Sequence, residues 1–160
     1  MEIRKARLED LDRILEIYAY ARNFMAETGN PTQWGDSYPQ KELLLEDIEK
    51  RQLYVMAEGG HIHGVFVFVI GEDPTYQIIE DGAWHSDAPY GTIHRIAGDG
   101  KVKGLLKRCV QFCTGEIGTL RIDTHRDNKV MQRAIEKNGF KCCGMIYSVD
   151  GSPRIAYDRC

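Results

Sequence analysis

The segment Asp99-Gly100-Lys101-Val102-Lys103-Gly104 places two glycines and two lysines between a β-branched run and a stretch with helical spacing. A strand that turns into a helix leaves the first backbone N–H groups of that helix without partners. Together with the helix dipole they form a site for an anion. Glycine lets backbone approach a ligand closely, and Lys101, Lys103 and Lys107 add charge that suits a phosphate. The segment is neither a P-loop nor G-x-G-x-x-G. The residues alone leave two readings open: a phosphate-holding turn, or an ordinary turn with a solvated basic edge.

Other groups capable of chemistry are scattered. The five cysteines, Cys109, Cys113, Cys142, Cys143 and Cys160, are odd in number and follow no apolar leader, which points to reduced thiols. Cys109 and Cys113 lie four apart and share a helix face. No C-x-x-C pair occurs, and His61, His63 and His85 have no cysteine or carboxylate at metal-ligand spacing. No metal site is expected, and these histidines read as surface or loop residues.

The elements that must position these groups follow from periodicity. Glu2–Ala6 alternates as a strand. Leu8, Leu11, Ile14, Leu15, Ile17 and Tyr18 recur at helical spacing, and that helix runs to about Glu27, where Thr28-Gly29-Asn30-Pro31 stops it. Residues 32–40 form a loop carrying Trp34 and Tyr38, and a short helix covers 41–50. Residues 52–58 and 62–70 read as a hairpin around Gly59-Gly60. A long irregular stretch, 71–91, carries Trp84, His85 and Tyr90; loops of this length in a small domain are usually functional or mobile. A strand at 92–97, a helix at 102–113, a strand at 120–123, a helix at 128–137 and strands at 140–149 and 154–158 complete the chain. The order predicts one α/β (α+β) domain spanning 1–160, a mixed and mostly antiparallel sheet flanked by helices.

Composition narrows the function. With 160 residues, 42% hydrophobic and 28% charged, and a formal net charge of -3, the chain has the make-up of a soluble globular protein. It lacks the basic excess of a nucleic-acid binder. No apolar run reaches membrane-spanning length and no secretory leader is visible, so a cytoplasmic protein is expected.

Residues 128–140, Asn-Lys-Val-Met-Gln-Arg-Ala-Ile-Glu-Lys-Asn-Gly-Phe, resemble the pattern Asn-x-x-Ala-x-x-Leu-Tyr-Glu-Lys-x-Gly-Phe of the GNAT superfamily of N-acetyltransferases, matching at Asn128, Glu136, Lys137, Gly139 and Phe140. The basic turn resembles that family's pyrophosphate loop, Gln/Arg-x-x-Gly-x-Gly/Ala, with Lys101, Gly104 and Leu106 at the three marked positions. Residues 93–97 and the opening Ile-Arg-Lys-Ala-Arg-Leu-Glu-Asp-Leu-Asp-Arg-Ile are similar to the family's corresponding strand and first strand–helix unit. The resemblance implies the acyl-CoA N-acyltransferase fold, acetyl-CoA as cosubstrate without a metal, and transfer to an amine acceptor. Acetyl-CoA would lie between the strands at 92–97 and 120–123. Backbone of Ile96 and Ala97 would pair with the pantetheine, the N–H groups of Val102, Lys103, Gly104, Leu105, Leu106 and Lys107 would hold the pyrophosphate, and Asn128 would bond the pantetheine. Leu106 stands where the family has a small residue, and the consequence depends on whether its side chain enters the core or faces the phosphates.

Acetyl transfer needs a base for the amine and protonation or stabilisation of the departing thiolate. Ile135 occupies the position of the family's thiolate-serving tyrosine, leaving Tyr147 as a possible substitute or as a packed side chain. His94 and Glu80 are the candidate bases, with His94 expected on the opposite sheet face from Arg95. His125 either orients substrate or caps the next helix. Trp34, Tyr38 and Tyr90, together with Trp84, suit the aromatic walls of a substrate pocket or a cover over the sheet. The competing function is a CoA-binding sensor or partner-binding module without catalysis, and an exposed strand edge would allow a homodimer.

Overall fold

A computed structural model describes all 160 residues, Met1 to Cys160. The elements are β1 (Glu2–Lys5), α1 (Leu11–Glu27), α2 (Lys41–Glu49), β2 (Leu53–Glu58), β3 (His61–Ile70), β4 (Tyr90–Gly98), α3 (Leu105–Thr114), β5 (Thr119–Thr124), α4 (Lys129–Lys137), β6 (Lys141–Tyr147) and β7 (Pro153–Arg159). The strands form one sheet in the order β1-β2-β3-β4-β5-β7-β6. Every pairing is antiparallel except β4 with β5. The α/β fold with a mixed, mostly antiparallel sheet is thus the expected one. No helix is long and apolar enough to cross a membrane.

Alternation along the central strands builds two cores. In β3, Val65 and Val67 pack with Ile14, Ile17 and Tyr18 of α1 and Leu44 of α2, while Phe66 and Phe68 pack with Leu106, Cys109 and Val110 of α3 and Ile135 of α4. Period-two side chains on the sheet meet period-3.6 stripes on the helices, so each face buries its own cluster.

Two boundaries differ from the sequence reading. The helix predicted from Val102 begins at Leu105, because Gly104 has φ +75° and caps it in a left-handed conformation that an α-helix interior does not accept. Tyr90 belongs to β4 rather than the preceding loop, since its pairing with Thr119 opens the β4–β5 ladder. The stretch 71–89 is also more ordered than expected. It contains a 3₁₀ turn at Pro74–Tyr76 and bridges β6 through Glu80 and Met145. It also seats Tyr76 in a third small core with Tyr90, Ile146 and Ala156.

Candidate active site

The parallel ladder of β4 and β5 is short. It joins Tyr90, Gly91 and Thr92 to Thr119, Leu120 and Arg121, and then stops. From Ile93 onward the two strands diverge, and the edge of β4 facing β5 carries no ladder. A bulge in β4 accompanies the divergence: Ala97 pairs with Val65 and His94 with Val67, so Arg95 and Ile96 together oppose Phe66. Arg95 sits at φ +47°, a conformation uncommon for a residue with a side chain and often found at functional sites. The bulge overturns the expected alternation, since His94, Arg95 and Ile96 all line the same cleft. Bulges re-aim side chains in this way.

The cleft has a volume of about 620 Å³. Its walls come from β4, from Ile122 to Thr124 of β5, from the loop carrying Trp34 and Tyr38, and from the β6–β7 turn. Trp34 is largely buried, edge-on to Tyr18 with ring centroids 5.6 Å apart. Tyr38 is more exposed and its hydroxyl takes a long hydrogen bond from Arg95. Arg95 itself is held by the buried carboxylate of Asp47. Gln33 ties the loop across the opening: its Oε1 accepts from Asn128 Nδ2 at 3.1 Å, and its carbonyl accepts from Arg154.

His94 lines this cleft beside an aspartate. Its Nε2 lies 2.9 Å from Asp73 Oδ2, and its Nδ1 has no protein partner. Asp73 also accepts from the N–H and hydroxyl of Thr75, while its own N–H donates to Tyr90 Oη. Burial opposes ionisation of Asp73, but the bonds from His94 and Thr75 outweigh it and hold the carboxyl at about 2. An ionised Asp73 accepts a proton-bearing Nε2 and so leaves the lone pair of His94 on Nδ1. Close by, Tyr76 donates to Asp123 Oδ2 at 2.6 Å. Burial and the Asp123 charge hold that phenol far above its ordinary value. Asp73, Asp123 and Asp150 give the walls three carboxylates, and Thr124 adds a buried hydroxyl without a protein partner.

Beyond the carboxyl end of β4 lies the basic turn. Asp99 organises it, binding Arg13 at 2.6 Å, His63 at 2.8 Å and the N–H of Lys101 at 2.9 Å. Burial works against the Asp99 charge, yet these partners hold its carboxyl below the usual range. The N–H groups of Val102, Lys103 and Gly104 make no backbone bond, and Arg108 donates to Gly104 at 3.1 Å as the helix closes its first turn. The N–H groups of Leu105, Leu106 and Lys107 precede that bond, so six consecutive donors face outward. Leu106 is buried among Cys109, Val110 and Ile135. Its side chain therefore enters the core and leaves the donors uncovered. Lys101, Lys103 and Lys107 are exposed, and Ala97 turns its methyl into the α1 core.

Several predicted residues lie elsewhere. Tyr147 and Glu80 bind each other at 3.0 Å outside the cleft, and the carboxylate raises the phenol above its ordinary value, which makes it a poorer acid. Tyr90 is packed, not a pocket wall: with Trp84 it sandwiches the Arg121 guanidinium at 3.8 and 3.9 Å. His125 accepts the N–H of Asp127 on Nδ1, so it braces the turn into α4. Burial pushes it down against the Asp127 charge. Asn128 lines the cleft while its Oδ1 caps α4 at the N–H of Met131, and Ile135 is fully buried. His85 is not the isolated loop residue expected, because the fold sets it beside Cys143 and Asp158.

Sequence inspection missed Asp73, Thr75, Asp123 and Arg154. They come from separate segments, and no local spacing links them.

A sheet that splays between two parallel strands, with a helix amino terminus beyond the opening, defines an acyl-transfer fold of the N-acetyltransferase class. The chain belongs to the GNAT family of acetyltransferases. It is 30% identical to a GNAT-family acetyltransferase from Streptococcus agalactiae, covering 99% of this chain and 94% of that one with a TM-score of 0.88. The same fold recurs in a ribosomal-protein-alanine N-acetyltransferase from Brucella melitensis (15% identity, 99% of each chain, TM-score 0.64). It recurs again in AAC(6')-Ib in complex with ribostamycin and coenzyme A (19% identity, 98% of this chain and 91% of that one, TM-score 0.68). No protein-family model and no curated protein matches the sequence.

Proposed function

We propose that this chain transfers the acetyl group of acetyl-CoA to a primary amine of a small molecule or peptide. The observation that carries this reading is the His94–Asp73 pair lining a splayed cleft whose walls hold three carboxylates. The three carboxylates outnumber the two guanidinium groups of the walls, Arg95 and Arg154, which favours an ammonium group, and His94 Nδ1 is free to take the proton the nitrogen loses. The neutral nitrogen then attacks the thioester carbonyl carbon; the C–N bond forms, the C–S bond breaks, and the thiolate leaves with the electron pair and takes up the second proton that the acylated nitrogen sheds, while His94 returns the first to solvent. Asp73 positions the imidazole, and Thr124 offers an O–H to developing negative charge. The unpaired edge of β4 at Ile96 and Ala97 suits the amides of a pantetheine arm, and the donors from Val102 to Lys107 suit a pyrophosphate. That AAC(6')-Ib is found with coenzyme A and ribostamycin supports both the donor and an amine-bearing acceptor.

A CoA-binding module without turnover is favoured by one feature, the burial of Ile135 where a thiolate-serving tyrosine is otherwise found. Titration with acetyl-CoA and thiol release across an amine panel separate the readings. Binding with thiol release supports transfer, binding alone supports the module, and no binding at millimolar acetyl-CoA ends both.

A further inference from the structure

Away from the cleft, the loop before β4 meets the β6–β7 pair at three side chains. His85 Nδ1 lies 2.7 Å from Asp158 Oδ1 and 3.3 Å from Cys143 Sγ, and all three ligand atoms fall within 4.8 Å of one another. The chain builds this deliberately in backbone terms. Cys142 pairs with Tyr157 and Gly144 with Ala156, so Cys143 is the extra residue of a bulge. Gly82, at φ +159°, lets the loop backbone approach the Cys143 carbonyl where a Cβ would collide. The N–H of His85 then donates to Asp158 Oδ2 at 2.7 Å.

We propose that Cys143, His85 and Asp158 form a site for a thiophilic divalent cation such as Zn2+, with solvent supplying the remaining ligand. Thiolate, imidazole and carboxylate are all ligand types that zinc accepts, and three of them leave a fourth, open position. Tetrahedral zinc with ordinary bond lengths separates N from O by about 3.3 Å and N from S by about 3.5 Å. The second separation is nearly present, and the first needs an opening of about 0.6 Å. Asp158 supplies an independent argument. Its side chain is only 2% exposed, and the one ion pair it makes is with His85. Arg121 and Lys141 stand opposite it in the sheet register without forming an ion pair with it, and a dication would neutralise the charge of a buried carboxylate so placed. His85 is 46% exposed at its side chain, so an ion has a path in. Binding replaces the Cys143 S–H proton by the metal and releases that proton to solvent, with no change of oxidation state.

The test is Co2+ titration of tag-free, metal-stripped protein, read by absorption. One equivalent should give a thiolate-to-cobalt charge-transfer band that Zn2+ displaces. The band should vanish in Cys143→Ser and persist in Cys142→Ser and Cys160→Ser. Should Cys143→Ser misfold, the exposed His85→Ala carries the test. Removing outer partners of metal ligands typically costs 10–100-fold in affinity, so loss of this ligand should weaken Zn2+ binding by at least about 100-fold. No band, a band that follows Cys142 or Cys160, or unchanged affinity in His85→Ala overturns the site.

Discussion

His94 and His85 each meet an aspartate at hydrogen-bond distance, 2.9 and 2.7 Å, yet the two pairs sit in different chemical settings. His94 leaves Nδ1 unpaired in a cleft of about 620 Å³, with three carboxylates around it. His85 directs the same nitrogen at both Asp158 and a thiol, and it does not line that cleft. The residue pair alone therefore does not define a role. What stands beyond the imidazole decides it: open volume and a spare lone pair suit proton transfer, whereas converging S, N and O atoms suit a cation.

The sharpest way to break this contrast is His94→Gln. Positioned general-base catalysis contributes about 10²–10⁴-fold, so kcat should fall by about that factor. Acetyl-CoA affinity, measured by calorimetry, should hold, because the backbone donors proposed for the pyrophosphate lie in a different element. A kcat within a few-fold of the parent would remove His94 from the proton path. Cys143→Ser should instead remove the effect of added Zn2+ on thermal stability, a readout to which His94→Gln is indifferent.

Asp73→Asn tests the orienting half of the pair. An amide N–H directed at Nε2 forces the proton onto Nδ1 and removes the basic lone pair, so the loss should approach that of His94→Gln. The double variant should cost no more than either single one, because residues acting as a unit are not additive. The pH dependence has a definite sign. Asp73 is held at about 2 when folded and has an ordinary carboxyl value of about 3.9 when unfolded. Its contribution to stability is complete above about pH 4 and is lost as pH falls toward 2. Asp73→Asn should flatten the fall of Tm across that window. An unchanged slope would show that Asp73 is not the group responsible.

These predictions rest on geometry the sequence discloses only in part. The helices and strands were legible because Leu11, Ile14, Ile17 and Tyr18, or Phe66 and Phe68, repeat at the spacing of their own element. The outward donors of the basic turn were legible for the same local reason. Leu106 was ambiguous in sequence, and only packing against Cys109 and Ile135 resolves it. The bulge at Arg95 and Ile96 was hidden, since alternation assumes an unbroken strand. The carboxylates of the cleft and the cluster of His85, Cys143 and Asp158 were hidden more deeply. His85 stands 58 residues from Cys143 and 73 from Asp158, so only the sheet order brings them together.

A third histidine–aspartate pair extends the comparison to the turn. His63 and Arg13 converge on Asp99, which in turn holds the N–H of Lys101. This pair lies outside the cleft of His94, and its aspartate holds backbone. Asp99→Asn weakens hydrogen bonds to charged partners, each worth about 1.5–3 kcal/mol. It should lower Tm and raise KM for acetyl-CoA by up to about 10-fold while leaving kcat near the parent value. A fall in kcat with constant KM would contradict a purely positional role.

The smallest expected effect is at the exposed lysines. A solvent-exposed ion pair contributes about 0.2–1 kcal/mol. Lys103→Ala should therefore raise KM for acetyl-CoA only about two- to five-fold, and the difference should shrink as salt approaches 1 M, where the screening length is about 3 Å. The backbone donors do not depend on that side chain and should keep most of the affinity. A much larger, salt-resistant loss would mean that the ammonium groups, rather than the N–H groups from Val102 to Lys107, carry the phosphate. The turn would then be a basic surface patch, in contrast to His94, whose effect should survive high salt because it acts through a single lone pair.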